Sequence, residues 1–205
     1  MANEAEKTLH KMQQVLTIDA NGAYETEEDK AELLWHELQN AYRSKRILSG
    51  ALSGVEETSS GSIAVIYYKG QRMIIPVSEM ELNLSEQNGY GEMKGRQVRI
   101  LNNMVGCEID FILIALDDTA RSVVASRRLA MLAKRRKFYF PNENGSVQIT
   151  EGRVVQARVI AVAEKVVRLE VFGAECAVPA RDIAWKRTAA YRMYSKQDRK
   201  CWYKS

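Results

Sequence analysis

Two residues with strong backbone preferences recur at a single spacing: Gly70 returns as Gly173 and Pro76 as Pro179, each 103 positions later. The same offset places Ile66 on Leu169, Tyr68 on Val171, Ile75 on Val178 and Glu79 on Asp182, with no gap. The shared pattern is an apolar strand, a glycine turn, a second apolar strand closed by proline, and an acid three positions later. Glycine supplies the positive φ of a tight turn and proline interrupts a strand ladder, so registering both constrains the fold more than matched apolar residues alone. We read two copies of one β module. Under the same offset the equivalent of Cys107 falls near position 210, past Ser205, so the second copy is expected to lack its last two strands. Such a chain is a fragment or variant, shares strands between the copies, or has the open sheet edge covered by another chain.

Length sets the frame for this duplication. The 205 residues leave room for one ordinary domain or two small ones. A chain with 46% hydrophobic and 27% charged residues is neither collagen-like nor wholly disordered. No stretch approaches the ~20 apolar residues of a membrane helix, and Met1 to Leu16 carries charge throughout, so a soluble cytoplasmic protein is expected, with no membrane partner. Cys107, Cys176 and Cys201 form no closely spaced pair, and only His10 and His36 accompany them. A disulfide framework, a zinc site and a cofactor are therefore not expected.

Charge divides unevenly along the chain. Residues 1–45 carry five basic side chains against nine acidic, a balance of −4, and residues 46–205 carry 25 against 17, a balance of +8. A basic body suits a polyanionic partner, and it equally suits plain solvation.

Residues 1–45 read as a helical section. Thr26 caps a predicted helix whose apolar positions Ala31, Leu34, Trp35, Leu38, Ala41 and Tyr42 fall along one face, with His36 beside that stripe as a surface residue. A weaker pattern of Ala5, Leu9, Met12 and Leu16 precedes it and ends at Asn21-Gly22. From Arg46 the texture changes to short runs rich in Val, Ile and Tyr broken by glycine, the mark of strands in a small sheet or barrel. Ser62 to Tyr68, the turn Lys69-Gly70, and Gln71 to Pro76 predict one hairpin. Cys107 to Leu116, the turn Asp117 to Ala120, and Arg121 to Ala125 predict another.

Within residues 46–130 the landmarks Gly54-Val55, Ile63 to Tyr68, Gly70 and Ile74 to Met80 are followed by Val105-Gly106, Leu116-Asp117 and Val123 to Arg128. In that order they resemble the S-one RNA-binding motif, the five-stranded oligonucleotide-binding barrel repeated in the largest protein of the bacterial small ribosomal subunit. Residues 150–184 resemble only its first three strands. The resemblance implies a mainly β fold with α: tandem five-stranded Greek-key barrels, the second incomplete. It sets boundaries at 1–45 for the helical section, 46–130 for the first barrel, 131–149 for a basic and aromatic linker, and 150–205 for the second module. It also implies single-stranded RNA, or single-stranded DNA, as partner.

One departure bears on function. Members of that family carry aromatic or histidine side chains on the second and third strands, where bases stack. Here Ala64 and Pro76, and in the second copy Val167 and Pro179, occupy those positions. Tyr67, Tyr68 and Phe111 remain as candidate base contacts, each of which also reads as barrel filling. Lys69, Arg72 and Arg168 are candidate phosphate contacts. So is the run Arg127, Arg128, Lys134, Arg135, Arg136 and Lys137, which leads into Phe138-Tyr139-Phe140. That run reads equally as an amphipathic helix joining the modules, with Leu129, Leu132 and Ala133 inward and its charges solvated. The stretch after Trp185, rich in Lys, Arg, Tyr and Trp, reads as a polyanion-binding tail, a disordered end, or a helix.

No catalytic pattern assembles. Gly89-Tyr90-Gly91 is not followed by the Gly-Lys-Ser/Thr of a phosphate loop, and Asp117-Asp118 read as turn residues. The expectation is a non-catalytic protein that holds single-stranded RNA on barrel faces and a basic patch. Its rival is a protein-interaction scaffold whose barrels have lost their stacking residues and which self-associates through the incomplete module.

Overall fold

Thr26 and Asp29 cap the first described helix reciprocally. The Asp29 backbone N–H donates to Thr26 Oγ1 at 3.1 Å, and the Thr26 backbone N–H donates to Asp29 Oδ2 at 3.0 Å. The computed structural model describes residues 26–59, 61–82, 90–162, 166–179, 182 and 200–204. Helix α1 spans Glu27–Ser44, with Glu27, Glu28 and Asp29 in its first turn where the helix dipole favours them. Trp35, Leu38 and Ala41 of the predicted stripe are buried, whereas Ala31 at its start is exposed, as is His36. The weaker pattern from Ala5 to Leu16 lies outside the described residues, as does most of the stretch after Trp185. No helix among the described residues is long and apolar enough to cross a membrane.

The chain is mixed α and β, mostly strands. Strands β1 (Leu48–Thr58), β2 (Gly61–Tyr68), β3 (Gln71–Pro76), β4 (Glu108–Asp117) and β5 (Ser122–Ser126) form one sheet in the order β1-β2-β3-β5-β4. Strand β1 pairs with β4 as well as β2, so the ladder returns on itself; β3 and β5 are the parallel pair. Alternation along the strands sends Leu52, Ile66, Met73, Ile75, Ile109 and Leu113 into a fully buried core. Between β3 and β4 lies helix α2 (Tyr90–Met104), packed on β1 and β6 with Leu101 and Met104 fully buried.

The second sheet consists of three consecutive strands, β6 (Val154–Val162), β7 (Val166–Val171) and β8 (Ala174–Pro179), with β9 (Lys200–Lys204) alongside β6. Its core gathers Val155, Ala157, Val167, Leu169 and Val171 with Ile149.

The 103-residue offset is reproduced bond for bond in the two hairpins. Ile63 pairs with Pro76 and Tyr68 with Gln71, while Val166 pairs with Pro179 and Val171 with Ala174. Both turns place two residues at positive φ, Lys69 (47°) and Gly70 (88°) in one, Phe172 (44°) and Gly173 (97°) in the other. That conformation matches the right-handed twist of a two-residue hairpin. Equivalence extends to a register shift in the preceding strand, between Leu52 and Gly54 in β1 and between Val159 and Ala161 in β6.

The second copy departs from expectation at its fourth strand. Rather than falling beyond Ser205, a strand at Lys200–Lys204 pairs antiparallel with β6, as β4 pairs with β1. The connection from β8, residues 180–199, is shorter than residues 77–107 in the first copy, and a fixed offset cannot register that deletion. The expected linker at 131–149 begins inside an element: α3 (Arg127–Tyr139) follows β5 directly and takes in its first half, with Ser126 as its cap through a 3.1 Å bond from Leu129 N–H to Ser126 Oγ.

Candidate nucleic-acid interface

Helix α3 carries the basic run, and it is where the sequence placed a phosphate-binding patch. Its inward residues are Ala130, Met131 and Arg127 rather than Leu129, Leu132 and Ala133, which are only half-buried. Arg127 is fully buried, with Nη1 donating to the Met80 carbonyl at 2.9 Å and Nη2 lying 3.4 Å from Glu175 and 4.0 Å from Glu170. Lys134 pairs with Glu170 at 2.5 Å and with Asp110. Asp110 in turn accepts from Arg158 at 2.8 Å and from Ser49 Oγ at 2.5 Å, and Glu175 accepts from Arg168 at 2.6 Å.

These groups form one buried chain of charge from β1 and β4 through α3 to β6, β7 and β8. A charge buried without a partner is costly, so each cation here is committed to an acid. Burial pushes the Asp110 carboxyl up, but hydrogen bonds from Lys134, Ser49 and Arg158 outweigh it and hold the group below the usual carboxylate range. Burial acts against the Arg158 cation too, and Asp110 more than restores it.

The run therefore does not act as a single patch. Arg127 and Lys134 are corrected from phosphate contacts to ion-pair partners within the protein, since Arg127 is fully buried and Lys134 is bound to two buried acids, Asp110 and Glu170. Arg168, 21% exposed, is tied to Glu175. Arg135 is half-buried, donating to the Gly173 carbonyl at 2.8 Å and pairing with Glu81 at 2.6 Å. Arg128 is exposed but grips Glu79 at 2.7 Å; that contact, then Ser126 Oγ at 2.5 Å, holds the Glu79 carboxyl low. Two landmarks of the family resemblance, around Glu79 and around Ser126-Arg127-Arg128, are thus the two halves of one internal clamp. Arg136 and Lys137, in the last turn, are exposed.

The aromatic candidates separate in the same way. Phe111 is fully buried and meets Tyr68 edge-on at 6.4 Å, which removes it as a base contact; Gly50 makes room for its ring, since a Cβ there would stand 3.2 Å from Phe111 Cε1. Tyr68 is half-buried, with Lys69 over its ring at 5.4 Å. Tyr67 is 46% exposed, opposite Arg72 in the ladder, and Arg72 pairs with Glu56 at 2.7 Å on the surface. Tyr67 and Arg72 lie at the turn end of β3, while Arg128 and Glu79 lie beyond its Pro76 end. At ~3.3 Å per residue the groups stand more than ~13 Å apart. Tyr67, Tyr68 and Phe111 do not emerge together beside α3.

Asp117 serves the β4–β5 turn, accepting from the backbone N–H groups of Thr119 at 2.9 Å and Ala120 at 3.0 Å. Cys107 is a buried residue whose Sγ donates to the Ile160 carbonyl at 2.7 Å, another tie between the two sheets. Sequence reasoning passed over the acids Asp110, Glu170 and Glu175. Their only signal was a charge recurring every second position inside an apolar run, as in Arg168 and Glu170 between Val167, Leu169 and Val171. It also passed over α2 and its Arg96 and Arg99. No family model matches the chain, and no curated protein matches it.

Proposed function

We propose that this chain is a non-catalytic RNA-binding protein built from two oligonucleotide-binding-type β modules and joined internally by its own ion pairs. The observation that carries the reading is the strand order β1-β2-β3-β5-β4, with one parallel pair, a β1–β4 contact and a helix between β3 and β4. A five-stranded Greek-key barrel of that kind takes oligonucleotides on its second and third strands and adjoining loops. On that face Tyr67 offers an exposed ring, and base stacking on an aromatic contributes ~1–3 kcal/mol. Beside it Lys69 and Arg72 supply positive charge. The Arg72–Glu56 pair is a surface one, worth ~0–1 kcal/mol, so a phosphate displaces Glu56 at small cost. Arg136 and Lys137 add phosphate contacts from the last turn of α3.

Binding of this type is dominated by counterion release, so affinity for a labelled oligoribonucleotide, read by fluorescence anisotropy, falls linearly on a log–log plot against salt. No measurable affinity for any ribo-oligomer at ~50 mM salt contradicts the reading.

A second reading, a protein-interaction scaffold, is favoured by β8. In the first copy β3 is flanked by β5, whereas β8 pairs only with β7 among the described residues. Strand addition there predicts a concentration-dependent dimer in sedimentation; a monomer at every concentration counts against it.

A further inference from the structure

Helix α2 presents two faces. Leu101 and Met104 are buried, while Arg96, Arg99, Ile100 and Asn103, spaced so as to share one side of a helix, line a cleft against the second sheet. Ala161, Val166 and Arg168 complete the lining, and the volume is about 250 Å³. Three arginines from two elements thus line one cleft, and none of its lining residues is acidic. Arg168 is held in place by its 2.6 Å bond to Glu175. The planar guanidinium fork matches phosphate oxygens two at a time. Beneath this cationic rim Ile100, Ala161 and Val166 form an apolar floor, with Val166 37% exposed. The space is smaller than the ~300–1,000 Å³ of pockets that enclose a small ligand, which suits a strand passing through rather than an engulfed metabolite.

We infer that this cleft is a nucleotide subsite, in which Arg96 and Arg99 take phosphates of single-stranded RNA, Arg168 adds positive charge from the edge of the network while staying bound to Glu175, and the apolar floor carries ribose and base. The inference rests on the RNA-binding reading and places a second contact region away from the β2–β3 face.

The test uses the full chain, a labelled oligoribonucleotide and two charge-matched double variants whose folding is checked by circular dichroism. Arg96→Gln with Arg99→Gln is expected to weaken binding ~10-fold at ~50 mM salt and to lower the salt slope by ~1.4, about 0.7 for each lost phosphate contact. Lys30→Gln with Arg43→Gln on α1 removes the same charge and is expected to leave both nearly unchanged. If the cleft variant binds like the α1 variant, the subsite is overturned while the RNA reading stands. If the wild-type chain binds no RNA, both fall. Photocrosslinking of a 4-thiouridine oligomer to the wild-type chain is a readout that needs no variant: crosslinks at residues 96–103 or at Val166 are expected, and crosslinks confined to other peptides overturn the proposal. Inorganic polyphosphate that competes as well as RNA of equal charge overturns the role of the apolar floor.

Discussion

The two hairpins β2–β3 and β7–β8 share register, turn conformation and a glycine at the same place, yet they live in different surroundings. A Cβ on Gly70 would meet nothing within 4 Å, whereas one on Gly173 would stand 2.4 Å from the Met131 carbonyl and 2.9 Å from the Arg135 amide. One copy of the turn faces outward and the other is clamped under α3. The same contrast runs through the charges. Arg72 on the first hairpin is an exposed cation in a weak surface pair, while Arg168 and Glu170 on the second belong to a buried network. Duplication supplied two copies of one backbone. Surroundings then set the two apart, leaving one hairpin exposed and making the other the structural joint.

Breaking the joint has the largest expected effect. Arg127→Ala removes the fully buried cation shared by Glu170 and Glu175, leaving them only the partly exposed Lys134 and Arg168, and opens a cavity, for a loss of ~3–5 kcal/mol in urea unfolding. A loss below ~1 kcal/mol contradicts the interior role of the network. Next, Gly173→Ala forces a Cβ into backbone at φ +97°, costing ~2–4 kcal/mol, whereas Gly70→Ala at φ +88° carries only the conformational cost of ~1–2 kcal/mol. Equal losses for the pair erase the distinction between the hairpins.

Acid sharpens the comparison further. The folded Asp110 carboxyl sits below its ordinary value of 3.8, so its contribution to stability is complete above that pH and is lost as pH falls through the folded value. Thermal unfolding of Asp110→Asn is expected to show a shallower decline below about pH 4 than the wild-type chain. At the small end, Glu56→Gln on the open hairpin changes stability by less than ~1 kcal/mol. Because it also releases Arg72, it is expected to strengthen oligoribonucleotide binding modestly in the same anisotropy assay.

Local features were legible in the sequence. Lys69-Gly70 and the Asp117 turn follow from turn chemistry, and the Thr26 cap from its position before an apolar stripe. Helix α2 was not: Gly91 and Gly95 lower helix propensity within it, although Leu101 and Met104 at helical spacing were there to be counted. The candidate site was legible in composition and misread in place. Arginine is normally a surface residue, and Arg127 is buried among partners distant in the chain, the Met80 carbonyl, Glu170 and Glu175, the last of them 48 positions away. A pairing over that distance leaves no periodic trace. The fourth strand of the second copy escaped for a related reason, since the connection before it is shorter than its counterpart and a single offset sees only gapless similarity.

The central claim is that RNA is held on surfaces outside the buried network, on the β2–β3 face and the α2 cleft. Hydrogen exchange with and without a single-stranded oligoribonucleotide tests it most directly. The account predicts slower exchange in residues 61–72 and 96–103 on adding RNA, with α3 from Arg127 to Lys134 unchanged because its amides are already protected. RNA-dependent slowing confined to residues 127–134, or none anywhere, would contradict it.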